Sequence, residues 1–157
     1  MATSNFERMI QLAEDVFASR TDPDQLSVDE GVISRLQMIH PSTMSECNEG
    51  NGPVAWILVF PTTLELMARF MKEEISEKEL FELTTTASRY EAIYLCSALV
   101  LEEYRGKGIA KDLTLQAIEQ IKKDYPIQAL FVWAFSKEGE GLAVKLAALT
   151  NLPLYKR

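Results

Sequence analysis

The stretch from Ala92 to Asp124 constrains the fold most. An apolar run, Ile93 to Leu101, passes through Glu102-Glu103-Tyr104-Arg105-Gly106-Lys107-Gly108-Ile109-Ala110 straight into a helical pattern. Ile93, Leu95, Leu99 and Leu101 alternate with Tyr94, Cys96, Ala98 and Val100, so both faces are apolar, as in a central buried strand. The helix expected over Gly108–Asp124 gathers Ile109, Leu113, Ala117, Ile118 and Ile121 on one side. Glycines at the mouth of a helix remove Cβ atoms that would keep a phosphate from the backbone. The first helical turn supplies unpaired N–H donors and partial positive charge. Arg105 and Lys107 bring further charge to the same point. The segment reads as an anion site.

Spacing separates the ways of binding phosphate. A Walker loop needs glycine five residues before its Gly-Lys pair and Ser or Thr after it, where Leu101 and Gly108 stand. A dinucleotide fingerprint accepts Gly106 and Gly108 but meets Lys111 in place of its last glycine. It also lacks its acidic residue, since Ile127 to Phe135 has none. What fits is Arg-x-x-Gly-x-Ala, carried by Arg105, Gly108 and Ala110 after Leu99-Val100-Leu101.

That run resembles motif A of the GCN5-related N-acetyltransferases, strongly over Ala92–Asp124 and more weakly to Ala148. The resemblance implies an α/β fold with a mixed central sheet flanked by helices. The helical pattern before the motif and the few residues after the last helix imply a helical N-terminal part and a shortened C-terminus. It implies acetyl-CoA as co-substrate, with the pantetheine arm along the backbone of Ala98, Leu99 and Val100. The pyrophosphate would lie on Gly106, Lys107, Gly108, Ile109, Ala110 and Lys111, and Arg105 would bind it or brace the loop. Tyr104 reads as a packing residue.

The chemistry implied is attack of an amine on a CoA thioester. It needs a proton acceptor, a donor to the thioester oxygen and an acid for the thiolate. A backbone N–H near Val100 suits the oxygen. Glu65, Glu91 and Glu102 are candidate bases. In the family pattern Asn-x-x-Ala-x-x-Leu-Tyr, Ala143 and Leu146 align, but Glu140 takes the Asn position and Ala147 the tyrosine position. The acid then falls to Ser136 or Tyr155. Cys96, in an apolar strand, reads as core. Two functions stay open: an N-acetyltransferase acting on an amine of a small molecule or protein, and a non-catalytic acyl-CoA-binding module. A plain interaction protein, with glycines serving only the turn, is the weaker third.

Composition fits one domain over residues 1–157, long enough to bury roughly 70% of its unfolded surface. Cys47, Cys96 and the single histidine, His40, have no metal or redox spacing, so no metal and a reduced cytoplasmic setting are expected. No leader pattern or membrane-spanning run is read. The net charge of −7 speaks against nucleic acid as main partner and leaves a homodimer open. Charge is also divided. Residues 1–103 hold seven Lys and Arg against eighteen Asp and Glu, whereas residues 104–157 hold nine against five. The acidic part suits a cationic acceptor.

Along the rest of the chain, Ser4/Glu7, Ser27/Glu30, Thr62/Glu65 and Ser76/Glu79 have capping-box spacing. The first helix is expected to bury Phe6, Met9, Ile10, Ala13, Val16 and Phe17, and the second Val28, Val32, Leu36 and Ile39. His40 to Pro53 reads as a loop, Val54–Phe60 and Ala129–Phe135 as strands, and Leu142–Leu149 as the last helix.

Overall fold

A computed structural model of the chain describes residues 3–19, 30–85, 89–133 and 136–157. Among them are helices α1 (Asn5–Ser19), α2 (Glu30–Ile39), α3 (Leu64–Met71), α4 (Glu77–Leu83), α5 (Ile109–Asp124) and α6 (Lys137–Thr150). Strands β1 (Met44–Glu49), β2 (Gly52–Thr62), β3 (Ala92–Val100), β4 (Ala129–Val132) and β5 (Leu154–Lys156) form one sheet in that spatial order. β1–β2 and β2–β3 are antiparallel, β3–β4 and β4–β5 parallel. The result is an α/β fold with a mixed five-stranded sheet.

Caps set several helix starts. Glu7 N–H donates to Ser4 Oγ at 3.2 Å before α1. At α4 the exchange is reciprocal: Glu79 N–H donates to Ser76 Oγ at 3.0 Å, and Ser76 N–H to Glu79 Oε1 at 3.1 Å. α3 departs from expectation by one residue. Thr63 is its cap, accepting from Leu66 N–H at 3.1 Å. Thr62 is buried at the end of β2, its hydroxyl 2.7 Å from that of Thr84. Ser27 and Val28 lie outside the described residues.

β1 corrects the expected His40–Pro53 loop. Apart from Met44 and Cys47 its residues are polar, burial alternates up to Asn48, as in an edge strand, and Gly50 takes the first position of a two-residue hairpin turn at φ +64°. β4 stops at Val132, and Phe135 lies outside the described residues. α6 begins earlier than Leu142, capped by Ser136. β5 uses the last residues as a third parallel strand.

A bulge in β3 decides which side chains share a face. Leu58 pairs with Ser97 but Val59 with Leu95, so Cys96 is an extra residue. Trp56 and Phe60 lie on one face of β2 and pair with Leu99 and Tyr94. Leu99 therefore shares a face with Tyr94, and not with Ile93 and Leu95 as strict alternation predicts. That face carries α1, α3 and α4: Phe6 packs edge-on to Trp56 at 6.0 Å, Phe81 to Phe60 at 5.7 Å, and Phe70 to Tyr94 at 5.3 Å. Phe60, Phe70 and Phe81, which are buried, each contribute roughly 1.5–3 kcal/mol by leaving water. α5 and α6, packed on each other, cover the other face. Of the expected α1 stripe, Met9 is fully buried, whereas Phe6 remains 55% and Ile10 39% exposed, and Leu12 takes up part of the contact; the Phe17 side chain lies outside those described.

Candidate functional site

The two ladders of β3 differ in length. β2 pairs with β3 from Ala92 to Val100, whereas β4 pairs only from Ala92 to Leu95. Among the described residues, no strand covers the second edge of β3 over residues 96–100. The bulge at Cys96 sits where this opening begins, and a bulge bends its strand. Leu101 N–H donates to Val54 O at 2.9 Å. By the antiparallel alternation, the N–H and C=O groups of Ala98 and Val100 then face the uncovered edge, and those of Leu99 face β2.

The edge leads directly into the glycine loop. A 3-10 turn over Glu102–Tyr104 is closed by Tyr104 N–H to Leu101 O at 2.9 Å and Arg105 N–H to Glu102 O at 3.2 Å. The Arg105 Nε donates to Val100 O at 2.9 Å, linking the loop back to the end of β3. Gly106 and Gly108 have φ of +78° and +80°. Backbone conformation, not crowding, is what demands glycine. A Cβ on Gly106 would meet nothing within 4 Å, and one on Gly108 only side-chain atoms of Lys111 and Asp112 at 3.9 Å.

α5 makes its first turn bond from Asp112 N–H to Gly108 O at 2.9 Å. The N–H groups of Ile109, Ala110 and Lys111 precede that bond, at the positive end of the helix dipole. Arg105, Gly106 and Lys107 are exposed around them. The Lys107 ammonium lies over the Tyr104 ring at 5.2 Å, and Lys111 Nζ is 4.0 Å from Asp112 Oδ1. The arrangement can take an extended acceptor- and donor-bearing chain on a strand edge and an anion at its end.

A cleft of about 670 Å³ lies beside the loop, between α1 and the end of β3. Glu7, Arg8, Gln11, Asp15, Glu102 and Arg105 are on its walls, with Leu12 and Leu101. Arg8 Nη2 donates to Glu103 Oε1 at 2.6 Å. That bond, more than any other cause, holds the Glu103 carboxyl down at about 2. Sequence reasoning missed this wall. The spacing of Glu7, Gln11 and Asp15, one turn apart on a helix, is the pattern that could have found it.

The catalytic candidates are dispersed. Ser136 follows β4 and caps α6, its Oγ accepting from Gly139 N–H at 3.0 Å. It lies at the same end of the parallel β3–β4 pair as the loop. Tyr155 pairs with Phe131 on β5, 46% exposed, with β4 between it and β3. Glu91 precedes β3, so about 30 Å of strand separates it from the loop. Its carboxylate accepts from Gln128 Nε2 at 3.0 Å. Glu65 is on α3, and Glu102 stands on the cleft wall. Cys96 packs against the core, as does Tyr104.

Among the described residues, no group of three His, Cys, Asp or Glu is placed to hold a metal ion, and no helix is long and apolar enough to cross a membrane. No protein-family model matches the chain, and no curated protein matches it.

Proposed function

We propose that this chain is an acetyl-CoA-dependent N-acetyltransferase of the GCN5-related kind, acting on an amine. One observation carries the reading: the uncovered edge of β3 at Ala98 and Val100 runs without interruption into the positive-φ glycines and the N-terminus of α5. The pantetheine amides would pair with that edge as an added strand, and the pyrophosphate would take the N–H groups from Gly106 to Lys111. The amine nitrogen forms a bond to the thioester carbonyl carbon and the carbon–sulfur bond breaks. The nitrogen loses its proton to water or Glu102, and the thiolate takes one from water or Ser136. A backbone N–H near Val100 would donate to the developing oxyanion.

A second reading is a non-catalytic acyl-CoA-binding module. It is favoured by the distance of Glu91 from the loop and by β4 standing between Tyr155 and β3.

Calorimetric titration of CoA into the full chain tests both. Saturable binding is expected, weakened about tenfold or more in Gly108→Val through lost charge-assisted hydrogen bonds, with circular dichroism confirming that the variant is folded. No binding at millimolar CoA overturns both readings. CoA binding without thiol release from acetyl-CoA, across an amine panel, leaves the binding module.

A further inference from the structure

Asn51 is exposed at the tip of the β1–β2 hairpin, and α1 is fastened to that tip through its first residue, the buried Asn5. The Asn5 N–H donates to Asn51 Oδ1 at 2.8 Å, and Asn5 Nδ2 donates to Glu49 O at 2.8 Å and to Gly52 O at 3.4 Å. Because Ser4 caps α1, the Asn5 N–H has no acceptor within the helix and stands at the positive end of its dipole. Of the four asparagines, Asn5, Asn48, Asn51 and Asn151, Asn51 alone precedes a glycine. A glycine nitrogen is the backbone nitrogen least hindered from reaching the side-chain carbonyl carbon of the residue before it, since no Cβ stands in the way. Here the oxygen of that carbonyl already rests on a fixed N–H, the kind of donor that stabilises a developing oxyanion.

We propose that Asn51 is a site of spontaneous deamidation, promoted by the N-terminus of α1. The Gly52 nitrogen forms a bond to Asn51 Cγ, negative charge gathers on Oδ1 opposite the Asn5 N–H, and the bond from Cγ to the side-chain nitrogen breaks. The Gly52 amide proton passes through water to the leaving nitrogen, which departs as ammonia. Water then opens the five-membered imide at one of its two carbonyls and leaves a carboxylate at position 51, in aspartate or isoaspartate linkage. In the aspartate form the carboxylate still accepts from the Asn5 N–H and adds the negative charge that a helix start favours. The modified turn therefore holds α1 at least as firmly as the amide does.

Incubation of the full chain at mildly alkaline pH, followed by peptide mapping in a mass spectrometer, tests the proposal. Conversion of amide to acid should appear at Asn51 before Asn48 and Asn151, which are also exposed but precede Glu49 and Leu152. Asn5→Ala removes Nδ2 and keeps the N–H. Asn5→Pro removes both, at a first helical position where proline is well tolerated. Conversion should be about tenfold slower in Asn5→Pro than in Asn5→Ala, with circular dichroism confirming that both are folded. Asn51→Asp should melt at or above the wild-type temperature at neutral pH and low salt. Equal rates in the two Asn5 variants overturn the role given to α1, and conversion at Asn48 or Asn151 ahead of Asn51 overturns the site. A lower melting temperature for Asn51→Asp overturns the fit of the product. Should the proline variant not fold, the order of conversion in wild type and the melting of Asn51→Asp decide.

Discussion

Arg105 Nε donates to the carbonyl oxygen of Val100 at 2.9 Å, so the side chain that opens the glycine loop closes back on the last residue of β3. This contact ties the uncovered strand edge to the anion loop. Arg105 itself is exposed, so its bond should add little to overall stability. Arg105→Ala is expected to cost about 1 kcal/mol or less in unfolding free energy while lowering CoA affinity roughly tenfold through a loosened loop. Thermal unfolding and calorimetry on the same sample separate the two effects. Unchanged CoA affinity would show that the loop keeps its shape without the clasp.

The Arg8–Glu103 pair fastens α1 to the loop from outside, and its dependence on pH has a definite sign. Glu103 is held at about 2 against an ordinary value of 4.5. Its stabilising contribution is therefore present above pH 4.5 and is lost as pH falls from there towards 2. Glu103→Gln should lower the melting temperature at neutral pH. The gap to wild type should close as the pH is lowered through this window and narrow at high salt, because the pair is exposed. A gap that stays constant with pH would assign the effect to packing instead.

Tyr94 and Glu77 form a buried pair beneath α3 and α4, the tyrosine hydroxyl donating to the carboxylate. Tyr94→Phe removes that donor from a buried acceptor and should cost about 1–3 kcal/mol in urea unfolding. Burial, more than the neighbouring Cys96 and Glu77, pushes the Tyr94 hydroxyl well above its ordinary 10.0. The protonated form is thus favoured in the fold. Its contribution is complete below pH 10.0 and declines as pH rises from there through the raised value. Wild type should therefore lose its advantage over the variant in strong base, and an advantage that persisted there would contradict the assignment.

Tyr155 stands on the edge strand, with β4 between it and the opening in the sheet. Tyr155→Phe is expected to leave both CoA affinity and turnover unchanged. Ser136 is the better-placed hydroxyl, although it also caps α6, so Ser136→Ala should cost about 0.5–2 kcal/mol in stability. Ser136→Thr keeps both hydroxyl and cap. Turnover lost in Ser136→Ala and restored in Ser136→Thr supports Ser136 as proton donor. A fall in kcat for Tyr155→Phe would move the acid to β5.

Some of this architecture is local, and local features are readable along a chain. Ser4 and Ser76 cap α1 and α4 because a short hydroxyl and a donor three residues on can meet without help from elsewhere. Gly106 and Gly108 mark the loop because positive φ is a property of single residues. β1 was not readable as a strand, since Met44 to Glu49 has too little apolar surface for a periodic pattern; Gly50 and Asn51 were its only mark.

That an apolar strand enters a glycine loop at a helix start, and that the acidic and basic parts of the chain divide there, is written in the order of residues alone. That β4 stops at Val132, that Cys96 bulges, and that α1 supplies the wall of the cleft emerges from the folded chain. The bulge changes the parity of β3 by one residue, so Leu99 and Leu101 turn towards α1 and not towards the face that alternation assigns them. The physical reason is range. Caps and backbone dihedrals are fixed within a few residues, whereas register, strand length and face depend on pairing between segments far apart in the chain.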